Sequence, residues 1–89
     1  MEKIVFDWND EKNNLLKNSE RKISFEEIVF AIKDWKLLDI IPSPTHENQK
    51  CFVVEVNDYV YIVPYVEANN EYFLKTIYPS RKHTKYYLK

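Results

Sequence analysis

The first strand and the first helix are predicted from a change in hydrophobic spacing near the N-terminus. Residues 3–6 are mostly apolar and β-branched, which is typical of a short strand. Asp7 and Asn9 then offer N-caps, and Asp10 and Glu11 lie where the first turn of a helix favours acidic side chains. We therefore expect a helix over residues 10–18, with only a thin apolar edge towards the core.

The second helix has the clearest local pattern in the chain. Ser24 and Glu27 stand three residues apart as a capping box, and Ile23 precedes them at a staple position. The pattern predicts a helix over residues 25–35. Its apolar side chains recur at the spacing of one buried helix face, at Phe25, Ile28, Val29 and Ile32.

The second half of the chain has the pattern of β-strands. Residues 37–41 suggest a short extended piece, and the polar, proline-containing residues 42–49 suggest a loop. Asn57 and Asp58 suit the left-handed backbone of a two-residue hairpin turn. Pro64 predicts either a bulge or an end of pairing on one side of its strand. The expected antiparallel meander has strands over residues 51–56, 59–66 and 72–78.

A last helix over residues 81–88 can be capped by Ser80. The predicted order is β-α-α-β-β-β-α in a single domain over residues 1–89. This is an α+β fold in which two N-terminal helices cover an antiparallel β-meander and a short C-terminal helix follows. With the helices on one sheet face, alternation places Tyr59, Tyr61 and Tyr65 on the other. That face is either a contact surface for RNA bases or a protein, or it is covered by the last helix or an N-terminal strand.

Composition narrows the class of protein. A chain of 89 residues with 45% hydrophobic residues fits one folded domain and is too apolar for disorder. Glycine is absent, which excludes glycine-rich phosphate loops and leaves Asn and Asp for turns that need positive φ. No apolar run has the length of a membrane span or the pattern of a signal peptide, so no membrane association is expected. The single cysteine, Cys51, favours a reducing cytoplasm.

Charge is unevenly distributed along the chain. Residues 75–89 carry five basic side chains and no acidic ones, whereas residues 1–74 carry 8 basic and 14 acidic ones. The net charge of −1 therefore hides a basic C-terminal end on an acidic body. Such an end suits a local anionic ligand, and it equally suits a solvated basic helix end.

Metal and thiol chemistry have little support in the sequence. His46 and His83 are far apart, and Cys51 has no second cysteine at a metal-binding spacing. Because Cys51 begins a predicted strand, we expect a small buried apolar side chain rather than a nucleophile. No cofactor or metal is therefore predicted.

Basic and hydroxyl-bearing side chains are the remaining candidates. Cleavage of RNA through its own 2′-hydroxyl needs a base, a cation on the phosphate and an acid for the departing oxygen. Histidine is the side chain whose ordinary pKa lies near neutrality, so His46 suits proton transfer; the alternative is an ordinary loop histidine. Arg81 offers a fork for two phosphate oxygens at a helix start with free N–H groups. The candidate catalytic set is His46, Lys50, Lys75 and Arg81, and the candidate substrate-binding set is Gln49, Ser80, Lys82, Thr84, Lys85 and Tyr86.

Four segments carry a family resemblance. Residues 6–12 (FDWNDEK) are similar to an opening F-x-W-D-x-x-K, and residues 23–27 (ISFEE) are similar to V-S-F-E-E. Residues 75–84 (KTIYPSRKHT) are similar to a closing R-I-I-S-A-R-K-A-T, and residues 46–50 (HENQK) to an H-x-x-x-x-R segment. The chain thus resembles the BrnT-type toxins of bacterial type II toxin–antitoxin modules, which have a RelE-like ribonuclease fold. The chain departs from the family in three places: residues 20–22 replace a Lys-His-Gly, the helix asparagine expected after Lys12 is out of register, and Tyr87 replaces an acidic residue.

The resemblance implies a cytoplasmic RNA-cleaving toxin that is held inactive by a ribbon-helix-helix antitoxin. DNA would be contacted only indirectly, through that antitoxin. By position, Lys50 and Lys75 stand in for arginines of the family, while Ser80 and Arg81 match directly. Two alternatives remain open: a non-catalytic module that docks a small antitoxin-like partner, and a domain with a basic C-terminus and no nuclease activity.

Overall fold

The computed structural model describes residues 4–88. It has a six-stranded, mostly antiparallel sheet with three helices, which confirms the predicted α+β fold. Lys3, at the start of the predicted first strand, and Lys89 lie outside the described residues. In chain order the elements are β1 (Val5–Trp8), α1 (Asp10–Lys17), α2 (Phe25–Lys33), β2 (Leu37–Pro42), β3 (Lys50–Val56), β4 (Tyr59–Ala68), β5 (Glu71–Leu74), β6 (Tyr78–Pro79) and α3 (Arg81–Tyr87).

The strands lie side by side in the order β1-β5-β4-β3-β2, and the short β6 pairs with β4. β1 is parallel to β5, and the other pairs are antiparallel. The prediction of a short extended piece over residues 37–41 understated β2. This segment is an edge strand of six residues, paired with β3 and interrupted by a register shift between Leu37 and Asp39.

The predicted third meander strand, over residues 72–78, is in fact two strands. β5 pairs with the second half of β4, and β6 pairs with Tyr61 and Ile62 nearer its start. Pro64 lies between these two sections, where its missing N–H cannot contribute a ladder bond. Pairing with β3 continues through Pro64 without a bulge. One of the two predicted outcomes, an interruption on one side, is therefore confirmed.

Helices lie on both faces of the sheet, which corrects the prediction that they share one face. α2 contributes Phe25 and Ile28 to a core that includes Tyr61 and Tyr65. The other face carries a smaller core with Cys51 and Ile62, against which residues Tyr87 and Leu88 pack at the end of α3. Alternation along a strand indicates which side chains share a sheet face, but it does not indicate which helix packs on that face.

The tyrosine surface proposed for RNA or protein contact is therefore buried. Tyr61 and Tyr65 are only 5% and 4% exposed, and the ring of Tyr65 stacks on Phe52 at 3.9 Å between centroids. Tyr59 is half-buried, and the guanidinium of Arg21 lies 4.1 Å from its ring centroid. These aromatic side chains belong to the core and its edge, and they leave no open aromatic face there.

All three predicted helix caps are present. The side chain of Asn9 accepts a hydrogen bond from the N–H of Lys12 at 3.0 Å, and Ser24 accepts one from Glu27 at 3.1 Å. Ser80 accepts one from the N–H of His83 at 3.2 Å. Each cap satisfies an N–H group that has no partner within its own helix.

Two-residue turns at 57–58 and 69–70 have the left-handed backbone that was expected of Asn and Asp. Asn57 and Asp58 have φ of 51° and 62°, and Asn69 and Asn70 have 52° and 65°. Positive φ also occurs at Lys22 and Trp35, which composition did not predict. Trp35 ends α2 early: the helix stops at Lys33 rather than at residue 35, because a left-handed residue cannot continue it.

Candidate functional site

The first candidate site is a cleft of about 330 Å³ between the 43–49 loop and the connection from β5 to β6, called here the loop cleft. The loop is folded on itself by backbone bonds from Ser43 N–H to the carbonyl of Gln49 (2.9 Å) and from Gln49 N–H to that of His46 (3.2 Å). The hydroxyl of Ser43 also accepts the N–H of His46 at 3.3 Å. The cleft is lined by Ser43, Thr45, His46, Gln49, Pro64, Lys75, Thr76 and Tyr78.

The ring of His46 is oriented by its neighbour. The hydroxyl of Thr45 lies 2.8 Å from Nδ1 of His46. A hydroxyl can donate to an unprotonated Nδ1 or accept from a protonated one, so this contact holds the ring in both charge states. That property is what a side chain needs if it gains and loses a proton during a reaction.

Lys75 reaches the loop cleft because of the break between β5 and β6. Its N–H donates to the carbonyl of Pro64 at 2.8 Å, which fixes the backbone just after β5. Alternation from Leu74, which is buried under α2, sends the side chain of Lys75 to the opposite sheet face. Its ammonium lies 5.6 Å from the ring centroid of Phe73.

Burial raises the pKa of Tyr78 on the cleft wall, so this phenol keeps its proton at neutral pH.

The second candidate site is a larger cleft of about 500 Å³ between α3 and β2, called here the helix cleft. The hydroxyl of Tyr87 donates to Oδ2 of Asp39 at 3.2 Å, which ties α3 to the edge strand. Burial and this hydrogen bond raise the pKa of Tyr87. The cleft is lined by Asp39, Ile41, Lys82, His83, Lys85, Tyr86 and Tyr87.

Ser80 and Thr84 hold α3 in place rather than facing a ligand. Thr84 Oγ1 accepts the N–H of Val60 at 2.9 Å and donates to the carbonyl of Ser80 at 2.7 Å. Ser80 caps α3, and its hydroxyl lies 2.7 Å from Nδ1 of His83. The polar atoms of both side chains are thus engaged inside the protein. These bonds give both residues a structural role, and their substrate-binding role stays a prediction.

The predicted site residues divide between two clefts instead of meeting in one. His46, Gln49 and Lys75 line the loop cleft, whereas three residues of α3 line the helix cleft. Both clefts lie on the sheet face that α3 covers, since Pro64 and Ile62 are two residues apart on β4. The three residues in the helix cleft are Lys82, Lys85 and Tyr86.

Two predicted catalytic residues stand apart from both clefts. Arg81 is exposed at the start of α3 and lines neither cleft. Lys50 begins β3 next to Cys51, and alternation with Cys51 directs its side chain to the opposite, α2-covered face. The structure therefore places Lys50 on the other side of the sheet from both clefts, because neighbouring residues of a strand point to opposite faces.

Several lining residues were not among the candidates from sequence. Thr45 was adjacent to His46 and could have been found as its orienting neighbour. Tyr78 and Asp39 carried no local signal, because they reach the clefts through pairing of β6 with β4 and packing of α3 on β2. Only long-range contacts bring these side chains together.

Thiol and metal chemistry find no support in the described part of the chain. Cys51 is completely buried, as expected, and burial raises the pKa of its thiol. Among residues 4–88, no three His, Cys, Asp or Glu side chains cluster as metal ligands would. No helix in the same stretch is long and apolar enough to cross a membrane.

Comparison with known proteins adds no relative: no family model, no curated protein and no solved structure matches the chain.

Proposed function

We propose that this protein is a metal-independent endoribonuclease, the toxin of a type II toxin–antitoxin module, with the loop cleft as its active site. One observation carries the proposal: His46 and Lys75, 29 positions apart in the sequence, line the same cleft. An imidazole and an ammonium in one cleft supply two of the groups that cleavage through a 2′-hydroxyl requires, the base and the cation on the phosphate. The resemblance to BrnT-type toxins supports the same activity.

The proposed reaction uses only side chains of the cleft. His46 takes the proton of the ribose 2′-hydroxyl, whose oxygen attacks the adjacent phosphorus. The ammonium of Lys75 stabilises the negative charge that builds on the phosphate oxygens. The bond to the 5′-oxygen breaks, and this oxygen receives a proton from Tyr78. The products are a 2′,3′-cyclic phosphate and a 5′-hydroxyl end.

The partner proposed with this function is a ribbon-helix-helix antitoxin, which would block the clefts and carry the DNA-binding surface. This part rests on the family resemblance and on the exposed basic side chains around α3. A small ribbon-helix-helix reading frame next to the gene would support it. Co-expression with that partner should suppress any growth inhibition by the protein.

The activity is tested with purified protein, end-labelled RNA and EDTA. We expect cleavage that yields 2′,3′-cyclic phosphate ends. His46→Ala should slow it by about 10²–10⁴-fold, the usual loss for a general base. Lys75→Ala should slow it by about 10²–10³-fold, as expected when transition-state charge loses its partner.

Lys33→Ala is the matched control, since this exposed lysine lies on α2, across the sheet from both clefts. Its cleavage rate should equal that of the wild type. RNA that stays intact at every protein concentration would refute the activity. An equal loss of rate in the Lys33 and Lys75 variants would refute the site.

A non-catalytic protein-binding module is the second candidate function. Trp35 favours it, because the ring is 94% exposed on a residue with φ of 64°. A large apolar side chain held in a costly backbone conformation suggests selection for contact with another protein. Under this alternative, replacing Trp35 weakens the complex with the partner, and RNA is never cut.

A further inference from the structure

We propose that the helix cleft is a nucleobase-binding subsite, which takes the base and phosphate of a nucleotide next to the one being cleaved. The inference rests on the proposed function, but it concerns a different cleft and different atoms. It assigns the base to the aromatic wall of α3 and the phosphate to Lys82 and Lys85.

The aromatic wall gives the cleft a planar, apolar surface. The rings of His83 and Tyr87 are nearly parallel, at 12° with centroids 6.5 Å apart, and Tyr86 meets Tyr87 edge-on at 4.8 Å. The side chain of Tyr86 is 72% exposed, so most of its ring is free of protein contacts. Bases stack on such rings without regard to sequence because every base has a π-face.

The polar groups of the cleft suit a nucleotide better than an apolar ligand. Lys82 and Lys85 are exposed cations within one turn of α3, at the spacing of neighbours on a helix. Asp39 is held in place, since Oδ2 accepts from Tyr87 and Oδ1 accepts from the N–H of Ile40 at 2.8 Å. Each of its oxygens keeps a free lone pair that can accept an N–H of a base edge.

The two clefts lie next to each other, because at two points residues that are close in the sequence line one cleft and then the other. Ile41 lines the helix cleft, and Ser43, two residues later, lines the loop cleft. Two residues span at most about 7 Å. Tyr78 and Lys82, four residues apart, repeat the arrangement on the other side. A volume of about 500 Å³ lies within the range of small-ligand sites, so one nucleotide fits beside the cleavage position.

Binding of adenosine 5′-monophosphate tests the inference, because this probe has no phosphodiester to cleave. We expect saturable NMR shift changes at the backbone amides of His83 and Tyr87. Tyr86→Ala should weaken binding about tenfold or more, the usual effect of losing one stacking ring. Phe30→Ala is the control, because Phe30 on α2 is similarly exposed at 73% and should leave binding unchanged.

Further probes separate base from phosphate. Ribose 5-phosphate should bind more weakly than the nucleotide because it lacks the base, and Lys82→Ala/Lys85→Ala should weaken the binding of both probes because both carry the phosphate. Equal affinity for ribose 5-phosphate and the nucleotide would overturn the inference, since the base would then add nothing. So would equal losses in the Tyr86 and Phe30 variants, or shifts only in response to a protein partner.

The cleavage assay distinguishes the two proposals. Nucleotide binding at α3 without any RNA cleavage would refute the ribonuclease and leave the nucleotide site standing. Cleavage that depends on His46, together with no nucleotide binding or with no effect of Tyr86→Ala, would refute the subsite and leave the ribonuclease standing.

Discussion

Asn13 is the buried polar side chain that joins α1 to α2. It is 4% exposed, its Nδ2 donates to Oε1 of Glu26 at 2.7 Å, and its Oδ1 accepts the N–H of Phe25 at 2.8 Å. That N–H lies in the first turn of α2 and has no partner within the helix. One amide therefore links the two helices through two hydrogen bonds.

We expect Asn13→Ala to lower the free energy of unfolding by about 2 kcal/mol, because it leaves the buried N–H of Phe25 without an acceptor. Asn14→Ala is the control, since Asn14 is exposed on the same helix and should change stability by less than about 0.5 kcal/mol. Urea unfolding followed by circular dichroism measures both. Equal effects of the two substitutions would show that the side-chain amide of Asn13 does not stabilise the contact between α1 and α2.

The end of α2 shows how an element is terminated without glycine. The N–H of Lys36 donates to the carbonyl of Ala31 at 2.9 Å, which is the six-to-one bond of a Schellman motif. The left-handed position of that motif is Trp35, with φ of 64°. Glycine is preferred there because a Cβ atom costs about 1–2 kcal/mol in this conformation.

Trp35→Gly should therefore stabilise the protein, although it deletes a large side chain. Removing the Cβ atom relieves the backbone strain, but the greater freedom of glycine in the unfolded chain offsets part of that effect. We expect the free energy of unfolding to rise by about 0.5–1 kcal/mol. Trp35→Ala removes the same ring and keeps the strain, so it should change little. Thermal unfolding of the three proteins tests this, and a loss of stability in Trp35→Gly would mean that the ring packs on the domain.

Across the whole molecule, α3 differs from α1 and α2 in the charges of its side chains. The first turns of α1 and α2 are acidic, whereas α3 has no acidic residue in its first turn. Lys75, Lys82 and Lys85 line clefts on the α3 side. The basic end noticed in the sequence is thus a surface, and an anionic strand would be drawn to that side.

This distribution predicts a particular salt dependence for RNA binding. With 2′-O-methyl RNA, which cannot be cleaved, Lys82→Ala/Lys85→Ala should reduce the slope of log K against log salt by roughly 1.4, at about 0.7 per lost phosphate contact. Lys12→Ala/Lys33→Ala removes the same charge from α1 and α2 and should leave the slope unchanged. Fluorescence anisotropy at several salt concentrations gives both slopes. Equal changes would mean that net charge matters rather than its location.

The sequence by itself determined the elements whose signals are local. The caps at Asn9, Ser24 and Ser80 and the turn at Asn57 and Asp58 depend on side chains within three residues of the backbone they bind. The buried stripe of α2 follows from spacing alone. These features therefore follow from neighbours along the chain, whatever the rest of the fold does.

Tertiary structure decided which side chains meet. Sequence could not show that α3 covers the face opposite α2 or that β1 pairs with β5, and it could not choose between the two outcomes predicted at Pro64. Those arrangements bring Lys75 to His46, bury the tyrosines and turn Lys50 away. Each depends on contacts between distant segments and on strand register, in which a shift of one residue reverses the face of every side chain.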